Sequence, residues 1–231
     1  MNIIIKLKKF IKYKYKYYFL NNIYKNSSIT ESNGLTIRKY NGEKSYQNYL
    51  MHQKFKFDFY KKPLDDNFED QTNIFFDNFK NIKTKYKDKK YTLCLGARTG
   101  AEVNAFRKLN FFSIGIDINY PKNSPYVVFG DFHNLQFPNE SFDIVYSNCI
   151  DHTYDLNKFV NEAKRVCKKD GLIIFDLQKG KQDGERYNFG NFEALGWTNT
   201  DIIIKKICEN DLSVVSKENI SKDYFQVVLK L

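Results

Sequence analysis

Residues 91–117 constrain the fold more than any other stretch of the chain. Tyr91-Thr-Leu-Cys-Leu-Gly-Ala-Arg-Thr-Gly100 is followed seventeen residues later by Asp117, in Gly-Ile-Asp-Ile-Asn. The pattern is an apolar strand, a glycine turn, a helix start and a second strand closing on an acid. An acid about 20 residues beyond such a unit is how a doubly wound sheet grips a ribose-bearing ligand.

The alternation continues to the end of the chain. It predicts strands at 91–96, 112–117, 126–129, 142–147 and 171–177, with helices at 100–109, 156–168 and 199–209. Two last strands, 212–218 and 223–230, are separated by so short a turn that they can only be antiparallel. The expected fold class is α/β: a doubly wound, mostly parallel, seven-stranded Rossmann-like sheet with one antiparallel strand, preceded by a helical extension.

Ahead of the sheet, residues 45–62 and 66–82 read as two helices. Tyr46, Tyr49, Leu50, Gln53 and Phe57 fall near one stripe of the first. Phe68, Phe75, Phe76, Phe79 and Ile82 form the apolar face of the second, with Asp66 or Asn67 as its cap. Residues 26–44 are polar, with Asn-Gly pairs at Asn33 and Asn41, and read as a linker or small hairpin.

Charge is concentrated at the start. The net charge is +10, yet residues 1–30 hold seven lysines and no acid. A nearly balanced remainder argues against a broad nucleic-acid-binding face on the core. Ile4, Leu7, Ile11, Tyr15 and Tyr18 recur at helical spacing, so residues 1–25 read as an amphipathic helix or arm. It packs on its own domain, makes peripheral contact with an anionic membrane, or reaches RNA. No run of 18 apolar residues occurs, and lysines interrupt residues 1–20 too often for a signal peptide. The expected location is cytoplasmic, with membrane association through the tail. The four cysteines have no close spacing and read as reduced, buried thiols; three scattered histidines suggest no metal.

Three ligands compete for the Gly96–Gly100 turn. A nicotinamide or flavin site would prefer Gly-x-Gly-x-x-Gly, whereas only Gly-x-x-x-Gly is present. A phosphate loop needs Gly-Lys-Ser/Thr, and none follows Gly100. S-adenosylmethionine carries no phosphate and needs neither pattern.

At this point residues 90–231 resemble the class I S-adenosylmethionine-dependent methyltransferases, particularly the methyltransferase type 11 group. The resemblance rests on Leu93–Gly100, on Asp117, on Phe129-Gly-Asp-Phe-His133, on Phe142-Asp-Ile-Val-Tyr-Ser-Asn148 and on Ala163–Phe175. It implies a cofactor site of Gly96, Ala97, Arg98, Gly100, Asp117, Ile118, Asp131, Phe132, Ser147 and Asn148. Asp117 would hold the ribose, while Asp131 and Phe132 would lie near the adenine. Two positions depart from the family. Cys94 stands where an acid is common, and Arg98 stands where a glycine is common; Arg98 could reach the methionine carboxylate or turn to solvent.

The resemblance also divides the chain. Residues 1–44 become an extension and linker, and 45–231 the methyltransferase domain, with lid helices at 45–82 and the core sheet at 90–231. Tyr46, Tyr49, His52 and Gln53 would set acceptor specificity. In Asn148-Cys-Ile-Asp-His152, His152 is the candidate general base and Asp151 its alternative or orienter, unless His152 is structural. The expected acceptor is a small molecule or glycan, methylated on oxygen. An RNA methyltransferase using the basic arm and a non-catalytic cofactor-binding domain are the alternatives.

Overall fold

The computed structural model describes residues 14–15, 18, 21, 25–120, 124–184 and 189–231, with backbone alone over 61–64. The amphipathic arm expected over residues 1–25 falls almost wholly outside them; Lys14, Tyr15, Tyr18, Asn21 and Lys25 are helical.

The described elements begin with a hairpin, β1 (Ser27–Ser32) and β2 (Leu35–Tyr40). Asn33 and Gly34 turn it with φ of 51° and 76°, the two left-handed residues that a tight Asn-Gly hairpin requires. Of the linker and the hairpin, it is the hairpin that forms. Two helices follow, α1 (Ser45–Asp66) and α2 (Phe68–Lys85). Asn67 occupies the N-cap position of α2, but its side chain makes no capping bond there.

The alternating core then runs β3 (Tyr91–Leu95), α3 (Ala101–Lys108), β4 (Phe112–Asp117), β5 (Val127–Phe129), β6 (Phe142–Ser147), α4 (Leu156–Val166) and β7 (Cys167–Gln178). It closes with β8 (Leu195–Trp197), α5 (Thr200–Cys208), β9 (Ser213–Asn219) and β10 (Tyr224–Lys230). Asp155 caps α4 by accepting from Lys158 N at 3.1 Å. Asn199 caps α5 by accepting from Asp201 N at 2.7 Å.

The main sheet has the order β5-β4-β3-β6-β7-β10-β9. Its pairs are parallel except those of β10, which runs antiparallel to both β7 and β9. Alternate residues feed two cores, as the two-residue strand period demands. Leu93 and Leu95 face α4 and α5 with Phe159, Val160 and Ile203. Cys94, Ile144 and Tyr146 face α2 and α3, where the rings of Phe79 and Phe106 stack at 4.0 Å. Each fully buried phenylalanine of this kind contributes roughly 1.5–3 kcal/mol.

A smaller sheet, β1-β2-β8, went unforeseen. It ties the N-terminal hairpin to residues 195–197, through Leu35↔Trp197 and Ile37↔Leu195. Helix α1 lies between this sheet and the carboxyl ends of the main strands. Tyr49 packs there with Tyr40 and Ala194, and Tyr40 Oη meets His52 Nδ1 at 2.7 Å.

Candidate active site

The strand order reverses between β3 and β6, because the chain winds outward to β5 and then returns to the other side of β3. Open parallel sheets bind ligands at that crevice. The turn leaving β3 is shaped by close packing. Gly96 has φ of 71°, and a Cβ there would meet Cys149 Sγ at 2.3 Å. Arg98 also lies in the left-handed region, at φ 46°, and its amide faces the neighbouring strand. That amide donates to Asp117 Oδ2 at 3.0 Å, while Asn119 N donates to Oδ1 at 2.6 Å. Burial raises the Asp117 carboxyl above its usual range, against the opposing pull of these amides and Arg98. Ala97 is buried, and its amide donates to Ile116 O at 2.9 Å.

Asp131, after β5, is already engaged. His133 donates to Oδ1 from its backbone N and from Nδ1, both at 2.9 Å, and Tyr46 of α1 donates to Oδ2. The tautomer follows from the other ring nitrogen. His133 Nε2 accepts from Tyr154 N and Asp155 N, each at 3.2 Å, so the proton sits on Nδ1. Burial alone would raise the Asp131 carboxyl, but the bonds from His133 and Tyr46 hold it below its usual range. Phe132 is buried edge-to-face on Phe159 at 5.0 Å, and its ring also borders the cleft beside Asp117 and Ile118.

The end of β6 separates its predicted residues. Ser147 turns inward: it is fully buried and donates to Leu95 O at 3.1 Å, pinning β6 to β3. Its side chain therefore fastens the sheet and does not line the cleft. Asn148 faces a neighbouring cavity of about 310 Å³, together with Asp151, His152, Gln178 and Glu193. His152 Nδ1 donates to Phe192 O at 3.2 Å, leaving Nε2 as an acceptor against Lys56 Nζ of α1. Burial, then Lys56 and Arg98, keep His152 neutral, well below its usual pKa. Asp151 Oδ2 is 3.5 Å from His152 Nε2, and burial raises its carboxyl. Metal-ligand atoms of Asp151, His152 and Glu193 lie within 4.8 Å of one another, a grouping the scattered histidines did not foretell. Glu102, on the first turn of α3, borders the same cavity; burial pushes its carboxyl up to about 8.

Residues 93–175 match the profile of the methyltransferase domain family. That stretch is a methyltransferase domain. It is an S-adenosylmethionine-dependent enzyme domain, and its sheet is the one expected from the sequence. No curated protein sequence matches the chain. Solved structures do. A Burkholderia thailandensis 1,6-didemethyltoxoflavin-N1-methyltransferase, bound to its acceptor and S-adenosylhomocysteine, is 10% identical with a TM-score of 0.62, over 87% of this chain and 98% of that one. A Thermotoga maritima protein described as a possible histamine N-methyltransferase is 17% identical with a TM-score of 0.56, over 75% and 96%. A Clostridium acetobutylicum S-adenosylmethionine-dependent methyltransferase is 14% identical with a TM-score of 0.54, over 69% and 91%. At these identities the likeness carries the fold.

The free acceptor positions on Asp117 suit a nucleoside. A carboxylate has about four acceptor positions, and backbone amides take one on each oxygen of Asp117. The remaining positions suit the two hydroxyls of a ribose. The cleft beside them is only about 40 Å³, whereas ligand pockets run to roughly 300–1,000 Å³. Tyr49, Gln53 and Lys56 of α1 line it. Lys56 and Glu193 were missed in the sequence. Lysines are abundant in it, and Glu193 sits in an irregular segment with no periodicity to read. No helix among the described residues is long and apolar enough to cross a membrane.

Proposed function

We propose that this methyltransferase transfers its methyl group to an oxygen of a small polar molecule or glycan end seated in the cavity of Asn148, Asp151 and Glu193. The observation that carries this reading is the overlap of two spaces. The cleft beside Asp117 and the 310 Å³ cavity share Lys56, Gly96, Arg98, Cys149 and His152 as walls. A ligand held by Asp117 on one side thus meets an acceptor on the other at a common boundary.

The cofactor supplies a methyl group already activated on a sulfonium. The chain's task is to align the acceptor and receive its proton. Asp151, with a carboxyl raised by burial toward neutrality, is the better matched base. His152, neutral and oriented by the Phe192 carbonyl, orients the acceptor hydroxyl once Lys56 leaves its Nε2. Gly96, Ala97, Arg98, Gly100, Asp117 and Ile118 form the cofactor side; Asp131 and Phe132 form its adenine end.

Nitrogen is the second reading for the acceptor atom. Asp151 and Glu193 border one cavity and would attract an amine. The Burkholderia structure is also described as an N-methyltransferase, and the Thermotoga one as a possible N-methyltransferase.

Screening sugars, polyols and amines with methyl-labelled S-adenosylmethionine tests both readings, since the product's label position separates oxygen from nitrogen. Asp151→Asn should lower turnover at least about a hundredfold with cofactor affinity retained. Label entering RNA and no small molecule, with transfer lost on deleting residues 1–25, would reject the small-molecule reading. The same deletion in a vesicle sedimentation assay tests membrane contact by the arm.

A further inference from the structure

We propose that Lys56 and Arg98 form a two-cation clamp for the carboxylate of the cofactor's amino-acid tail. The proposal rests on the cofactor placement proposed above.

The tail needs charged partners, and position 94 offers none. Cys94 is fully buried, with Sγ 3.8 Å from Ser113 Oγ, in the core beneath α2 and α3. Two cations do reach the boundary between cleft and cavity. Arg98 projects from the β3 turn, one bond from the ribose acid, because its own amide holds Asp117. Lys56 comes from α1, outside the stretch that matches the family profile.

Lys56 is poorly compensated where it stands. Its Nζ meets His152 Nε2, a neutral acceptor. Among the described residues, no carboxylate oxygen lies within 4.0 Å of Lys56 Nζ or of the Arg98 guanidinium. Burial first, and then the charge on Arg98, push the Lys56 pKa down, while Asp151 and Glu193 favour its charge from farther away. A buried charge is costly unless paired, and a second cation beside it adds to the cost. One carboxylate entering between Lys56 and Arg98 relieves both. It also frees His152 Nε2 for the acceptor.

S-adenosylhomocysteine and 5′-methylthioadenosine share the nucleoside and thioether, and only the first carries the amino acid. Calorimetry with both ligands on the full chain separates the clamp from the rest of the pocket. Lys56→Met and Arg98→Met should each weaken S-adenosylhomocysteine binding by roughly tenfold or more. Binding of 5′-methylthioadenosine should stay within about twofold, which also reports a folded pocket, and Lys56→Arg should keep most of the affinity. Equal losses for both ligands, or none for either, overturn the clamp. Wild-type protein that binds 5′-methylthioadenosine as tightly as S-adenosylhomocysteine overturns it too. Wild-type protein that binds neither refutes the cofactor placement itself, and the clamp with it.

Discussion

The Arg98 amide and the Asp117 carboxylate are joined at 3.0 Å across the ends of two adjacent parallel strands. Asp117 is thereby fixed in orientation before any ligand arrives. Removing it leaves the amides of Arg98 and Asn119 without their acceptor and deletes the proposed ribose contacts. A hydrogen bond to a charged group contributes about 1.5–3 kcal/mol, so Asp117→Ala should weaken S-adenosylhomocysteine binding roughly tenfold or more per lost bond. Unchanged affinity by calorimetry, in a variant that remains folded, would remove Asp117 from the site.

Gly96 and Gly42 have similar φ, 71° and 79°, but opposite surroundings. A Cβ at Gly96 meets Cys149 Sγ at 2.3 Å; at Gly42 it meets nothing within 4 Å. Both alanine variants should carry the left-handed strain of about 1–2 kcal/mol. Only Gly96→Ala should add a packing cost of about 1–3 kcal/mol and depress cofactor binding. Urea melts of the two variants measure the difference; equal losses would mean that Cys149 yields freely.

Glu102 gives stability a defined pH dependence. Its folded carboxyl sits near 8, far above the value it has when exposed. The folded state therefore holds a proton that the unfolded state has released across the window from about 4.5 to 8. Stability should fall as pH rises through that window, at up to about 1.4 kcal/mol per pH unit from this group. Asp176, raised to about 6, adds a similar trend over a narrower range. Denaturation of wild type and Glu102→Gln at pH 5 and 8 isolates the Glu102 share. Parallel pH profiles would show that its proton is not retained on folding.

The alternation of strand and helix was legible because each unit carries its own period. Strand pattern and acid position placed β4 and β6 at their observed bounds, and the short final turn gave the antiparallel β10. Such signals are local. The β1-β2-β8 sheet is not local: Leu195–Trp197 is three residues long and pairs with a hairpin near the other end of the chain. The site divides in the same way. Asp117, Arg98 and His152 belong to contiguous motifs, whereas Lys56 and Glu193 enter only when α1 and the 189–194 segment fold over the sheet. Ser147 shares a motif with Asn148, yet its hydroxyl turns to Leu95 O, which no one-dimensional pattern encodes.

Arg38 ties that far segment down. It is nearly buried, donating from Nε to Glu193 O at 3.0 Å and from Nη2 to Gly190 O at 3.1 Å. The neighbouring Ala194 amide donates to Asp151 O at 2.8 Å. Arg38→Met should cost roughly 1.5–3 kcal/mol per lost bond and loosen the loop. Hydrogen exchange at Ala194 is the readout. Exchange as slow as in wild type would mean that the loop is held by other contacts.

The pairing of β2 with β8 has a consequence for how the protein is made. The chain emerges from its N-terminus, and non-local contacts form only when both partners exist. Leu35 and Ile37 find their partners at Trp197 and Leu195. The strip that seats α1 is therefore finished only after residue 197 has been synthesised, when the β3–β7 platform is already available to fold. A nascent chain would pass through a stage with its crevice uncovered, which ends before the β9–β10 hairpin is made.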